Sequence, residues 1–136
     1  MGYRTRVTGA IQISPPIPWS ILDGSRFVGP PHRRIVDMDC VLRVVEQVAE
    51  GGDGSTVRRV AVAITGAMPE RYCAYNLLDH VQKIIDLFGE GRTFTGRLTC
   101  TGDEPGDIWR VEVHDGRAVR VEPRIVWPDG TEGLTA

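Results

Sequence analysis

Between Phe94 and Trp127, apolar residues recur at every second position in three successive rows. The rows are Phe94, Leu98, Cys100; then Trp109, Val111, Val113; then Val119, Val121, Ile125, Trp127. A period of two puts one face of a sheet in the core and leaves the other wet. The stretch therefore reads as a three-stranded antiparallel meander, and another element has to cover its apolar face. Asp115-Gly116 invites a two-residue turn, but that pairing sets Val111 opposite Arg120 and mixes the faces. A three-residue loop, His114-Asp115-Gly116, pairs Val111 with Val119 and Trp109 with Val121, and it is preferred because register follows the apolar pattern.

The covering element is a helix expected from Pro69 to Phe88. Ala74, Leu77, Leu78, Val81, Ile85 and Phe88 form one stripe at helical spacing. Gly89 reads as its C-cap in the left-handed conformation. Upstream, Tyr3 to Ile13 alternates as a strand that should stop at Pro15-Pro16, since proline cannot donate to a ladder. Gly9 leaves room there for another backbone or a ring. Pro18 to Asp23 suits a short helix. Cys40 to Ala49 and Val57 to Thr65 read as two strands around a hairpin loop, Glu50 to Ser55. The elements order as an α+β fold: an antiparallel sheet of about six strands, with a ferredoxin-like βαββαβ core, a C-terminal β-hairpin extension and one long helix covering one face.

A chain of 136 residues with 41% hydrophobic and 25% charged residues is read as a single domain over 1–136. A long irregular loop is expected over 24–36 and a flexible C-terminal tail over 128–136. The net charge of -2 gives no bulk pull toward nucleic acid or anionic lipid. No apolar run approaches the roughly 20 residues of a membrane span. Cys40, Cys73 and Cys100 are odd in number and widely spaced, which suits reduced thiols and a cytoplasmic location. The cations are 15 Arg and the single Lys83, a sign of coding bias rather than of function.

Two blocks carry a family resemblance. One is Gly2-Tyr3-x-Thr5-x-Val7-Thr8-Gly9-x-Ile11-x-Ile13-x-Pro15-Pro16. The other runs from Phe94-Thr95-Gly96-Arg97-Leu98 through Gly102-x-Glu104-x-Gly106-Asp107-Ile108-Trp109-Arg110 to Asp115-Gly116. Together they resemble an uncharacterised family of short actinobacterial and actinophage proteins, a domain of unknown function. The second block is also distantly similar to the C-terminal part of small bacteriophage-encoded proteins. The resemblance implies a cytoplasmic protein of bacterial, phage or mobile-element origin, and it transfers no catalytic residues.

The chemistry-bearing residues fall short of a motif. Cys73 and His80 share a helix edge about 10 Å apart, too far for a nucleophile-base pair. Asp103, Glu104 and Asp107 cluster in an acidic turn without the spacing of a calcium loop. Gly51 to Ser55 lacks the lysine and the helix of a phosphate cradle. No catalytic residue, cofactor or metal is therefore assigned. The expected function is a small non-enzymatic binding or regulatory protein acting on a protein partner. Its surface is sought at Trp19, Arg26, His32, Arg33, Arg34, Tyr72 and Tyr75, where a Pro/Gly-rich loop lies near two aromatics. The alternative is a small-ligand or enzymatic domain using the Arg/His-rich loop. Nucleic-acid binding ranks third: the third strand offers no aromatic to stack on a base, and Arg4, Arg6, Arg33, Arg34, Arg58 and Arg59 make a basic patch only if the fold brings them together.

Overall fold

The computed structural model describes residues 4–25, 27, 28, 39–52, 54–67 and 76–133. Its elements are β1 (Thr5–Pro18), α1 (Trp19–Leu22), β2 (Cys40–Gly51), β3 (Gly54–Gly66), α2 (Leu77–Phe88), β4 (Thr93–Gly102), β5 (Ile108–His114) and β6 (Arg117–Val121). The six strands form one sheet in the order β2-β3-β1-β4-β5-β6, and the pairs are all antiparallel.

The fold is mainly β. This overturns the expected α+β architecture, with its ferredoxin-like βαββαβ core and one long covering helix. Among the described residues α1 is a single turn of 4 residues and α2 has 12. A covering helix needs an apolar stripe over several turns. The segment after β1 offers only Trp-Ser-Ile-Leu, of which Leu22 alone is buried. The first seven residues of the helix expected over 69–88 lie outside the described residues, and α2 begins after Asn76.

β1 is longer than the sequence implies. It continues through Pro15 and Pro16 to Pro18. Its ladder with β4 ends at Ser14–Thr93, and its register with β3 shifts between Gln12 and Ile17. The prolines thus occupy the shifted, edge-like part of the strand, where a missing N–H costs little.

One face of the sheet buries Val7, Ile11, Ile13 and Ile17 from β1 with Ile64, Phe94, Leu98, Cys100, Trp109 and Val111. α2 adds Leu77, Val81, Ile84, Ile85 and Phe88 to this core. Ile84, absent from the sequence stripe, is fully buried, whereas Leu78, which the stripe includes, is only partly buried. Each large side chain so buried is worth roughly 1.5–3 kcal/mol. Gly89, the expected left-handed C-cap, has an ordinary φ of -80°. Its glycine is explained by room instead: a Cβ would stand 2.4 Å from the Ile85 carbonyl oxygen.

Two glycines hold β1 against β4. Gly9 (φ 89°) and Gly96 (φ 101°) sit near each other on the paired strands. A Cβ on Gly9 would lie 2.6 Å from the Arg97 carbonyl oxygen, and one on Gly96 2.6 Å from that of Ala10. The close backbone expected at Gly9 is therefore the β4 strand.

The C-terminal hairpin departs from the expected register. His114 pairs with Arg117, Val113 with Ala118 and Val111 with Arg120. The loop is the two-residue Asp115-Gly116 turn, with φ values of 52° and 76°. Both central residues at positive φ match the turn whose twist suits a hairpin, and here turn chemistry wins over apolar alternation. Val119 and Val121 consequently leave the core face, and Trp127 is half exposed rather than inside. Beyond β6 the chain makes a closed turn: Val126 bridges Glu132, and the Trp127 indole N–H donates to the Gly133 carbonyl at 2.8 Å.

Candidate binding groove at the end of the first strand

β1 leaves the sheet at Pro18, which pairs with Val60. β2 and β3 continue past this point as a two-stranded arm, paired from Glu46–Arg59 to Gly51–Gly54. The sequence has the arm's signature. The run Val60 to Ile64, buried except for the half-buried Val62, gives way to Gly54-Ser-Thr-Val-Arg-Arg, exposed on both faces. Val48 and Val57 pair across the arm and remain 65% and 60% exposed. Along Val57 to Arg59, β3 has no strand on the side that β1 occupies further down, among the described residues.

An open groove of about 440 Å³ lies at this junction, lined by Pro15, Pro16, Pro18, Trp19, Ser20, Gln47, Arg58, Arg59 and Val60. The three prolines make one wall because β1 has lost its β4 partner there. Leu22, fully buried, anchors the single turn of α1 and so fixes Trp19 beside β3. The Arg59 guanidinium stands 5.5 Å from the centre of the half-buried Trp19 ring, in cation–π range. Arg59 also lies 3.9 Å from the Glu46 carboxylate, an exposed pair of little energetic weight. Among the described residues no carboxylate lines the groove, and its polar side chains are the guanidiniums of Arg58 and Arg59, the Gln47 amide, the Ser20 hydroxyl and the Trp19 indole N–H.

Of the residues singled out in the sequence, Trp19 is in this groove. Arg26, His32, Arg33, Arg34, Tyr72 and Tyr75 lie outside the described residues, as does most of the 24–36 loop. Arg58 and Arg59 enter the sequence reading only as members of a scattered basic patch, and Gln47 does not enter it. The sequence signal for them is the loss of apolar alternation before Val60, which marks an arm outside the core.

Elsewhere several titratable groups have structural partners. The acidic turn after β4 is closed by Gly102 N–H donating to the Asp107 carbonyl at 2.8 Å, and Asp103 accepts from the Arg4 backbone N–H at 2.8 Å. Asp39 gathers three elements. Its N–H donates to His80 Nδ1 at 3.0 Å, its carboxylate accepts from Asn76 N–H at 2.7 Å, and its carbonyl accepts from Ala67 N–H at 3.2 Å. Cys73, the proposed neighbour of His80, lies outside the described residues. Burial, with the Asp39 charge adding, raises the Cys40 thiol above its usual range. Burial pushes Cys100 up to about 12, with Arg120 opposing and Asp107 adding. Neither is a poised nucleophile. Among the described residues no helix is long and apolar enough to cross a membrane.

No curated protein and no solved structure matches the chain. A family model does match, over residues 1–136. The chain belongs to the family of unknown function DUF6205.

Proposed function

We propose that this is a small non-enzymatic binding protein that acts through a protein partner, taking an extended acidic segment of that partner into the groove beside Trp19. The observation that carries the reading is the Trp19–Arg59 stack at the point where β1 leaves β3. An incoming strand would continue the lane of β1 and hydrogen-bond to the free side of β3 along Val57 to Arg59. Trp19 and the prolines supply apolar area at low entropy cost, and Arg58 and Arg59 supply donors suited to carboxylates. A groove whose described lining holds two cations and no carboxylate disfavours a basic segment by the same electrostatics.

The test is binding of fluorescein-labelled extended peptides, matched in apolar content and differing only in Glu or Lys at alternate positions. The acidic peptide should bind and the basic one should not. Arg58→Glu with Arg59→Glu, and separately Trp19→Ala, should each abolish binding while the thermal melt stays close to that of the parent. Equal binding of both peptides, or binding unchanged in these variants, would refute the reading.

A further inference from the structure

On the sequence alone, nucleic-acid binding ranks third, for want of aromatics on the central strands. The register changes the ground for that. It collects exposed arginines on the sheet face turned away from α2. Val7, Ile11 and Ile13 face the core, so Thr8 and Gln12 face outward, and continuous pairing carries the alternation onto β4 and β5. The outward set on those strands includes Thr95, Arg97, Thr101 and Arg110, all exposed. Arg43 on β2 pairs with Ala63, which pairs with Gln12, and so belongs to the same face.

Arg97 lies opposite Glu112, and Arg110 is two residues along from it. Such diagonal neighbours stand about 7–8 Å apart. Neither guanidinium has an ion-pair partner among the described residues. Glu112, the one carboxylate on the outward face of these strands among the described residues, is taken by His114 at 2.9 Å. Arg43 is four strands from Arg110, about 19 Å at the usual strand spacing. Among the described residues this face of β1, β4 and β5 thus carries more cations than carboxylates, although the chain has a net charge of -2.

We infer that this face binds single-stranded nucleic acid across β1, β4 and β5, independently of the groove beside Trp19. Arg97 and Arg110 hold successive phosphates. The outward threonines and Gln12 offer hydroxyl and amide partners to sugars and base edges. Guanidinium planes take the stacking role that aromatics have on other nucleic-acid-binding sheets. A duplex is the wrong shape: its major groove admits a helix or a two-stranded ribbon, not the face of a wide sheet. The binding is expected to be weak in sequence preference, because it rests on backbone charge.

The experiment is fluorescence anisotropy with labelled oligo-deoxythymidylate and oligo-uridylate, at low and near-physiological salt. Arg97→Gln with Arg110→Gln is compared with Arg58→Glu with Arg59→Glu, both checked by circular dichroism for an unchanged melt. The parent should bind both oligomers, with affinity falling as salt rises. The sheet-face variant should bind about tenfold or more weakly, with a salt slope reduced by about 1.4, about 0.7 for each phosphate of a single strand no longer neutralised. The groove variant should bind like the parent. The inference is overturned if the parent does not bind, if the groove variant loses as much as the face variant, or if a matched duplex, heparin or anionic vesicles bind as well as the single strands. Loss of peptide binding in the groove variant with retained oligomer binding would separate the two surfaces.

Discussion

The Arg120 guanidinium lies 4.2 Å from the centre of the Trp109 ring, on the face of the hairpin that packs toward α2. The turn at Asp115-Gly116 sets the register that puts Arg120 opposite Val111, where alternation alone would have put a valine. The arginine's aliphatic stem closes over the core while its charged head stays partly wet and meets Glu122 at 2.6 Å. Arg120→Ala should therefore cost about 1 kcal/mol in chemical denaturation, and Arg120→Lys should recover only part of it because an ammonium does not stack as a plane does. A variant as stable as the parent would mean that the ring is held by its other neighbours.

The turn itself is open to test. Gly116 has φ 76°, so Gly116→Ala strains the backbone and should lower stability by about 1 kcal/mol. Asp115→Asn should be neutral or mildly stabilising, since Asn-Gly favours the same turn. If Gly116→Ala left the unfolding midpoint unchanged, the two-residue turn would be the wrong description of the hairpin.

Gln82 of α2 accepts a hydrogen bond from Ala118 N–H at 2.8 Å, and its amide N–H meets the Gly116 carbonyl at 3.4 Å. One side chain thus fastens the helix to the hairpin. Gln82→Leu leaves a part-buried N–H without its partner and should cost about 1–3 kcal/mol. Hydrogen exchange provides the sharper readout: the Ala118 amide should exchange much faster in the variant, whereas the β1–β4 ladder should not change.

Gly9→Ala and Gly96→Ala should be among the most damaging small substitutions in the chain. Each added Cβ would stand 2.6 Å from a backbone oxygen of the facing strand, at a φ that side chains avoid. Clash and strain together should exceed about 3 kcal/mol, a large fraction of the roughly 5–15 kcal/mol that holds an ordinary domain folded, so the melt should drop by many degrees. A cooperative melt near the parent temperature for either variant would contradict the close β1–β4 approach.

Stability should fall at alkaline pH by way of the buried thiols. The Cys100 thiol is raised from 9.0 to about 12 in the folded protein, and that of Cys40 is raised as well. Below the unfolded value both states are protonated and the contribution is fully present. As pH climbs through the unfolded value, the unfolded chain loses protons first, and stability drains away toward the folded value. The urea midpoint followed from about pH 8 to about pH 11 should drop less in Cys100→Ala than in the parent. An identical pH dependence in the two would exclude Cys100 as a contributor.

Much of the strand content was legible in the residues. The alternation of Val7, Ile11 and Ile13, and of Phe94, Leu98 and Cys100, marks strands whose one face must be buried, and those residues are buried. The apolar stripe from Leu77 to Phe88 likewise marks the helix that covers them. The short helix expected over Pro18 to Asp23 is present as the single turn Trp19–Leu22, but it is too short to cover a sheet, so a ferredoxin-like core built on it does not form. The groove was half legible. Trp19 is conspicuous in sequence, but nothing local says that Arg59 will lie beneath its ring, 40 residues along the chain.

By itself, then, the sequence determined which stretches alternate and which stretch is helical, because side-chain periodicity is a local property of the backbone. Tertiary structure decided the rest. The hairpin register rests on the turn geometry at Asp115-Gly116 and on Gln82 reaching across from α2. Where β1 ends beside β3 depends on the register shift after Gln12, and that end makes the groove. The arginine face exists because pairing aligns Arg43, Arg97 and Arg110 from three strands. Each of these depends on which strands become neighbours, a choice made by burial and chain closure over long separations rather than by any short run of residues.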